Sequence, residues 1–238
     1  MAVGYTKWTV LPHKPLDELA PNLWRVEGKM SGGTRRAMTL ARLRDGRVVI
    51  NNAIALEDEL MAKIDQWGEV AAILVPNAFH RQDARIMHER YPKAKVYAPG
   101  RAIGAAKKAT EITGSFADAP QDDTVRITHI EGMKEREGVI EVTSDNGVTQ
   151  VYCDVLLNMP PMSGVFGFLL HPTGQFSSPR FMRWFMVSKK ADTRAHLERL
   201  AAADGLTRII PGHGDDIVGH DNGGGVGEKL RAALRSFD

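Results

Sequence analysis

Val70-Ala71-Ala72-Ile73-Leu74-Val75 runs directly into Pro76-Asn77-Ala78-Phe79-His80-Arg81-Gln82-Asp83-Ala84, and the change of texture between the two stretches decides the fold. The unbroken apolar run is the mark of a strand covered on both faces. Ile86, Met87 and Tyr91 then recur on one face of a helix that Pro92 stops. Side chains between such a strand and such a helix belong at the rim of an α/β sheet, so this stretch is where an active site is expected.

Working outward, Asn22 to Glu27 and Ala37 to Leu43 alternate as strands. Asp45-Gly46 supplies hairpin turn chemistry, and Arg47 to Asn51 returns as the next strand. Leu56, Leu60, Met61 and Ile64 predict a helix over residues 56–67, with Glu57, Asp58 and Glu59 in its favourable acidic first turn. Lys95 to Ala98 reads as a strand, residues 101–109 as a helix, and residues 113–123 as a loop. The alternation of strand and helix predicts a parallel centre with helices packed outside.

The second half has the same texture. Val125 to Ile130, Val139 to Thr143 and Val148 to Tyr152 read as strands, the last two joined by an Asp145-Asn146-Gly147 turn. A helix over residues 192–203 leads to the strand Thr207-Arg208-Ile209-Ile210, which ends in Pro211-Gly212-His213-Gly214-Asp215. Val226, Leu230, Leu234 and Phe237 form one stripe on a closing helix. The Gly223-Gly224-Gly225-Val226-Gly227 run before it lacks the preceding strand of a dinucleotide fingerprint and reads as a flexible helix start. Residues 159–187 scatter Met162, Phe166, Phe168, Phe181, Trp184 and Phe185 among prolines and glycines, as core, subunit interface or wall for an apolar ligand.

Composition sets the outer limits. A chain of 238 residues suits a single domain spanning 1–238, and 43% hydrophobic with 25% charged residues is ordinary for a soluble protein. A net charge of +2 calls for neither nucleic acid nor an anionic membrane, leaving a small molecule as the expected partner. Cys153 is the single cysteine, so no intrachain disulfide forms and a reducing compartment fits. It reads as a small buried residue at a strand end. Met1 to Trp8 lacks the pattern of a secretory signal, and the expected location is the cytoplasm. Prolines 160 and 161 with Gly164 and Gly167 interrupt the apolar segment 155–170 as a membrane span. His88 reads as solvent-facing, while His129, His171, His196 and His220 show no mutual ligand spacing.

The order of elements together with the strand-terminal Pro211-Gly212-His213-Gly214 resembles the metallo-β-lactamase superfamily, from about Trp24 to His213. The resemblance implies an α/β fold, an αβ/βα sandwich of two mixed β-sheets flanked by helices. It also implies a metal site at positions where that family carries an Asp after an early strand, a His-x-His-x-Asp-His motif, a Gly-His turn, a strand-end Asp and a final Gly-His. Here the early strand ends at Asn51, the main motif falls on Asn77, Phe79, Arg81 and Gln82, and the turn falls on Gly132-Met133. Asp154 and His213 keep the family's ligand types, and His80 lies one position off the motif.

These residues disfavour a dinuclear centre, which needs several imidazole and carboxylate ligands. A fixed cation such as Arg81 about 4 Å from a dication costs about 8 kcal/mol at an effective dielectric of 20. Arg81 is therefore expected to pair with Asp154 in place of the metal. Three readings follow. In the first, a fold with most dinuclear ligands lost binds a small molecule, or acts without a dinuclear zinc centre and without a cofactor, through a pocket lined by Asn77, His80, Arg81, Asp83, Asp154 and His213. In the second, His80, Asp154 and His213 hold one divalent ion (zinc, iron or manganese) and the protein hydrolyses an ester, lactone or thioester. In the third, residues 159–187 form an interface, for instance of a homo-oligomer, and the protein is not an enzyme.

Overall fold

A computed structural model describes residues 4–30, 32–219 and 225–237. Met1 to Val3, His220, Gly223 and Gly224, which entered the reading above, lie outside the described residues. The first sheet holds β1 (Asp17–Ala20), β2 (Leu23–Lys29), β3 (Arg35–Arg42), β4 (Val48–Asn51), β5 (Val70–Leu74), β6 (Lys95–Ala98) and β7 (Gly114–Ser115), in that spatial order. Its first four strands pair antiparallel, and β4 to β7 pair parallel. Helices α1 (Asp58–Trp67), α2 (Ala84–Arg90) and α3 (Ile103–Ala106) connect the parallel strands.

The second sheet comprises β8 (Val125–His129), β9 (Gly138–Ser144), β10 (Gly147–Val151), β11 (Leu206–Ile210) and β12 (Ile217–Val218). Only β10 and β11 run parallel in it. Between them the chain forms α4 (Gly164–Leu169), α5 (Arg180–Met186) and α6 (Lys190–Ala201), and α7 (Val226–Ala233) closes it.

The period of two in the strands sorts side chains into layers. On β4, Val48 and Ile50 face Met61 and Ile64 of α1, whereas Val49 turns the other way. Ala72, Leu74 and Val49 of the first sheet pack between the sheets with Ile127, Ile140, Val142 and Ile210 of the second. The far side of the second sheet, with Val139, Tyr152 and Ile209, is covered by Leu197 and Leu200 of α6 and by Val226 and Leu230 of α7. Four layers result, helix, sheet, sheet and helix, and the predicted αβ/βα sandwich of two mixed sheets is the observed one.

The local differences have local causes. The helix expected over residues 101–109 is a 3-10 turn at Gly100–Ala102 followed by the single turn α3, with Gly104 weakening its middle. The loop expected over residues 113–123 contains β7 and a 3-10 turn, because the Asp118 carboxylate accepts the Ser115 amide and hydroxyl and caps that turn. Residues 159–187 contain α4 and α5, and leave Val165, Phe166, Phe168, Trp184 and Phe185 more than half exposed. Among the described residues no helix is long and apolar enough to cross a membrane.

Beyond β10 and β11 the parallel pairing continues into the loops: Tyr152 donates to Ile210, Gly212 to Cys153 and Asn158 to His213, main chain to main chain. Ala37 on β3 donates to the Gly212 carbonyl and ties this corner to the first sheet. Gly214 has φ +95°, and a Cβ there would meet the Asn158 carbonyl oxygen at 1.9 Å. Gly214→Ala is expected to lower unfolding free energy by about 2–4 kcal/mol, from the left-handed backbone and the clash together. Urea unfolding that shows a loss under about 0.5 kcal/mol would contradict this close approach.

Candidate functional site

The carboxyl ends of β4, β5, β10 and β11 lie at one edge of the sandwich, and each delivers a polar residue there. Asn52 follows β4, Asn77 and His80 follow β5, Cys153 and Asp154 follow β10, and His213 follows β11. Ends of parallel strands are where open α/β sheets collect ligands.

Asp154 is 2% exposed and sits at the centre. Its Oδ1 lies 3.2 Å from His80 Nε2 and 3.3 Å from His213 Nε2, and the two Nε2 atoms are 3.1 Å apart. Asp154 Oδ2 accepts the Asn77 side-chain amide at 2.7 Å. The Asn77 Oδ1 in turn accepts the Phe79 and His80 main-chain amides at 2.9 and 3.2 Å, an Asx turn that sets His80 in place.

The outer nitrogens of the two imidazoles fix the ring states. His213 Nδ1 faces the Arg35 carbonyl, which can only accept, so this nitrogen carries the hydrogen. Asn52 donates its amide to the Ala37 carbonyl at 2.8 Å, which turns its Oδ1 toward His80 Nδ1 at 3.1 Å. His80 Nδ1 therefore donates as well. When both rings are neutral each points a lone pair inward from Nε2, and two imidazole nitrogens and a carboxylate oxygen converge. A cation or a proton has to sit among three such acceptors. A tetrahedral zinc site with bonds of about 2.0–2.1 Å has ligand–ligand edges of about 3.3–3.4 Å, close to these separations. The residues present fit one metal ion. Cys153 Sγ, with His80 and Asp154, forms a second triplet whose ligand atoms lie within 4.8 Å of one another.

Burial and the neighbouring charges oppose one another in the titration of His80, His213 and Asp154. Burial lowers His80 more than Asp154 raises it, whereas for His213 the hydrogen bond and charge of Asp154 outweigh burial and raise the ring. For Asp154, burial alone would push the carboxyl up, but His80 and His213 hold it well below the usual carboxylate range. Burial, then Asp154 and Glu137, push the Cys153 thiol well above its ordinary value.

The sequence-predicted residues divide. His80, Asp154 and His213 come together, with Asn77 behind them. The Arg81–Asp154 ion pair is not formed: the Asx turn directs Arg81 away, and its guanidinium donates to the Ala78 carbonyl. Asp83, at the start of α2, is held by Arg36, each 2% exposed, and by the Ala55 amide at 3.0 Å, so it faces neither Asp154 nor solvent. At the other motif positions Phe79 packs on Phe181 and Phe185, and Met133 is fully buried. His88, expected in solvent, is half-buried and pairs with Thr110.

Sequence reasoning missed Glu137. It is fully buried, and its carboxylate accepts the main-chain amides of Cys153, Asp154 and Val155 at 3.0–3.1 Å and the Asn77 amide at 3.2 Å. Burial and the nearby Asp154 push its carboxyl up to about 8. Within Glu135-Arg136-Glu137 nothing separates it from a solvated charge run, and only the fold turns it inward. Asn52, at φ +56°, was legible only as a second asparagine after a strand.

No family model matches the chain, and no curated protein matches it. Solved structures do. The metallo-β-lactamase FIM-1 from Pseudomonas aeruginosa in its mono-zinc form superposes with a TM-score of 0.57 at 12% identity, over 95% of this chain and 96% of that one. The DIM-1 metallo-β-lactamase gives a TM-score of 0.62 at 11% identity, over 96% of this chain and 100% of that one. Both agree with the four-layer order found above, and the chain has the metallo-β-lactamase fold.

Proposed function

We propose that the chain binds one divalent metal ion through His80, Asp154 and His213 and hydrolyses an ester, lactone or thioester with it. The observation that carries this reading is the convergence of three acceptors, two Nε2 atoms and Asp154 Oδ1, at 3.1–3.3 Å. That a protein of the same fold is described in a mono-zinc form supports a single-ion site in this architecture. A dinuclear centre is disfavoured by Asn77, Phe79, Arg81 and Gln82 at the motif positions.

Bound there, a divalent ion supplies Lewis-acid polarisation of a carbonyl and acidification of water. The chain's own residues do the rest. Arg35 and Asn52 accept the Nδ1 hydrogens and keep both Nε2 lone pairs directed inward. Asn77 occupies Asp154 Oδ2 and leaves Oδ1 as the inward donor. Glu137 gathers the amides of residues 153–155 and so fixes the loop that carries Asp154.

Elemental analysis of protein purified without added metal should find about one equivalent of zinc, iron or manganese per chain, lost in Asp154→Ala and in His80→Ala. Two equivalents, or one that survives both substitutions, would reject the assignment. Cobalt(II) substitution separates the donor sets: a thiolate charge-transfer band would put Cys153 among the ligands in place of His213. Glu137→Gln removes no ligand but turns an NH₂ toward two of the four N–H donors that the carboxylate accepts. It should weaken metal binding about 10–100-fold and cost about 1–3 kcal/mol of stability. Unchanged metal affinity would show that Glu137 does not organise the site.

A second reading concerns association. Val165, Phe166, Phe168, Trp184 and Phe185 are 74, 70, 57, 65 and 52% exposed on α4 and α5, a patch of the kind that marks interfaces. We propose that two copies of the chain meet there. Sedimentation velocity should then show an oligomer that Trp184→Ser and Phe185→Ser convert to monomer, and a monomeric parent chain would exclude it.

A further inference from the structure

A cleft of about 700 Å³ opens between α5 and the 171–177 segment on one side and α7 with the Leu234–Phe237 turn on the other. None of His80, Asp154 or His213 lines it. Its walls are tied together where the Ser178 amide donates to Ser236 Oγ at 3.3 Å, and the 171–177 wall is braced by the Ser177 hydroxyl on the Pro172 carbonyl at 2.7 Å.

Among the described residues, the charged side chains that line it are Arg180, Arg183, Lys229 and Arg235, with no carboxylate. Three of them donate to main-chain carbonyls: Arg180 to Phe168, Arg183 to Ser178 and Lys229 to Val218. Among the described residues none of the four has an acidic partner within 4.0 Å. Several other cations of this surface do have an acidic partner. Arg44 pairs with Asp123, Arg47 with Asp45, Arg85 with Glu89, Arg90 with Asp65 and Arg208 with Asp216. The whole chain carries only +2, so four cations in one cleft without an acidic partner among the described residues are a local concentration of charge. Burial, and then the adjacent Arg180 cation, hold Arg183 below its ordinary value, as expected where like charges are pressed together.

The occupant that answers this cleft must bring several negative charges. Guanidinium forks favour phosphate and carboxylate oxygens, and a single carboxylate would leave most of the four charges unmatched. Phe176 and Ile217 add an apolar wall, and the volume lies within the ~300–1,000 Å³ of small-molecule sites. We infer that the cleft binds a small organic di- or triphosphate, its phosphates on Arg180, Arg183, Lys229 and Arg235 and its organic part against Phe176 and Ile217. This inference is independent of the metal site.

Isothermal titration calorimetry with ADP, pyrophosphate and adenosine as probes tests it, with chelator present throughout so that metal binding by the phosphates cannot contribute. ADP and pyrophosphate should each saturate one site, ADP the tighter, and adenosine should give no saturable heat. Lys229 and Arg235 are exposed, so Lys229→Ala/Arg235→Ala should keep the thermal midpoint of the unliganded protein while weakening ADP at least tenfold. Arg180→Gln, which removes the charge and keeps a shorter polar side chain, should weaken ADP similarly. The inference is overturned if neither phosphate saturates, if ADP binds the variants as tightly as the parent, or if sulfate at equal ionic strength displaces ADP as well as pyrophosphate does.

Discussion

A carboxylate taken out of water has to be answered by charge or by donors, and the corner of this fold that matters is organised by how Asp154 is answered. The interior cannot hold such a charge uncompensated. One oxygen is met by the Asn77 amide, and the other is left to two imidazole nitrogens whose hydrogens are committed elsewhere. Everything that fixes those hydrogens, the Arg35 carbonyl, the Asn52 amide and the Ala37 carbonyl behind it, belongs to the first sheet, whereas Asp154 and His213 belong to the second. The arrangement therefore depends on the two sheets meeting in one register.

Glu137 shows the same constraint one layer deeper. A second buried carboxylate close to Asp154 would be costly if both were exposed to each other without donors. Three successive amides and a shared Asn77 side chain separate their demands, with Glu137 taking the main chain of the 153–155 loop and Asp154 taking the histidines. Arg36, held by Asp83, adds a positive charge that acts against protonation of His80 and His213. The site is thus a small ionic lattice in which each group's orientation is the condition for its neighbour's.

The fold was legible in the sequence because its determinants are local. The apolar run 70–75, the Asp45-Gly46 and Asp145-Asn146-Gly147 turns and the stripe from Val226 to Phe237 each specify an element without knowledge of the rest. Part of the site was legible for the same reason: His80, Asp154 and His213 stand at strand ends, where the chain must turn at the sheet's edge. Partnerships were not. Arg81 was assigned to Asp154 from its motif position, but the Asx turn at Asn77 reverses the chain before residue 81 and sends the guanidinium back to Ala78. Asp83 has the charge expected in a helix's first turn and is spent on Arg36, a strand residue distant in sequence. Glu137 carries no periodic or turn signal at all. Direction of a side chain is a tertiary property, and residue type alone does not encode it.

The contact between His80 and His213 spans 133 positions, and that between His80 and Asp154 spans 74. These three side chains come into range only when β5, β10 and β11, far apart in sequence, have found their places. The corner is therefore a late event in assembly, since long-range closures follow local ones. Any ion held there would bind the finished sandwich in preference to the open chain, and its occupancy would report on the docking of the two halves as well as on the chemistry. The triplet needs β10 and β11 paired, so this fold couples its Asp154–histidine corner to its least local strand pairing.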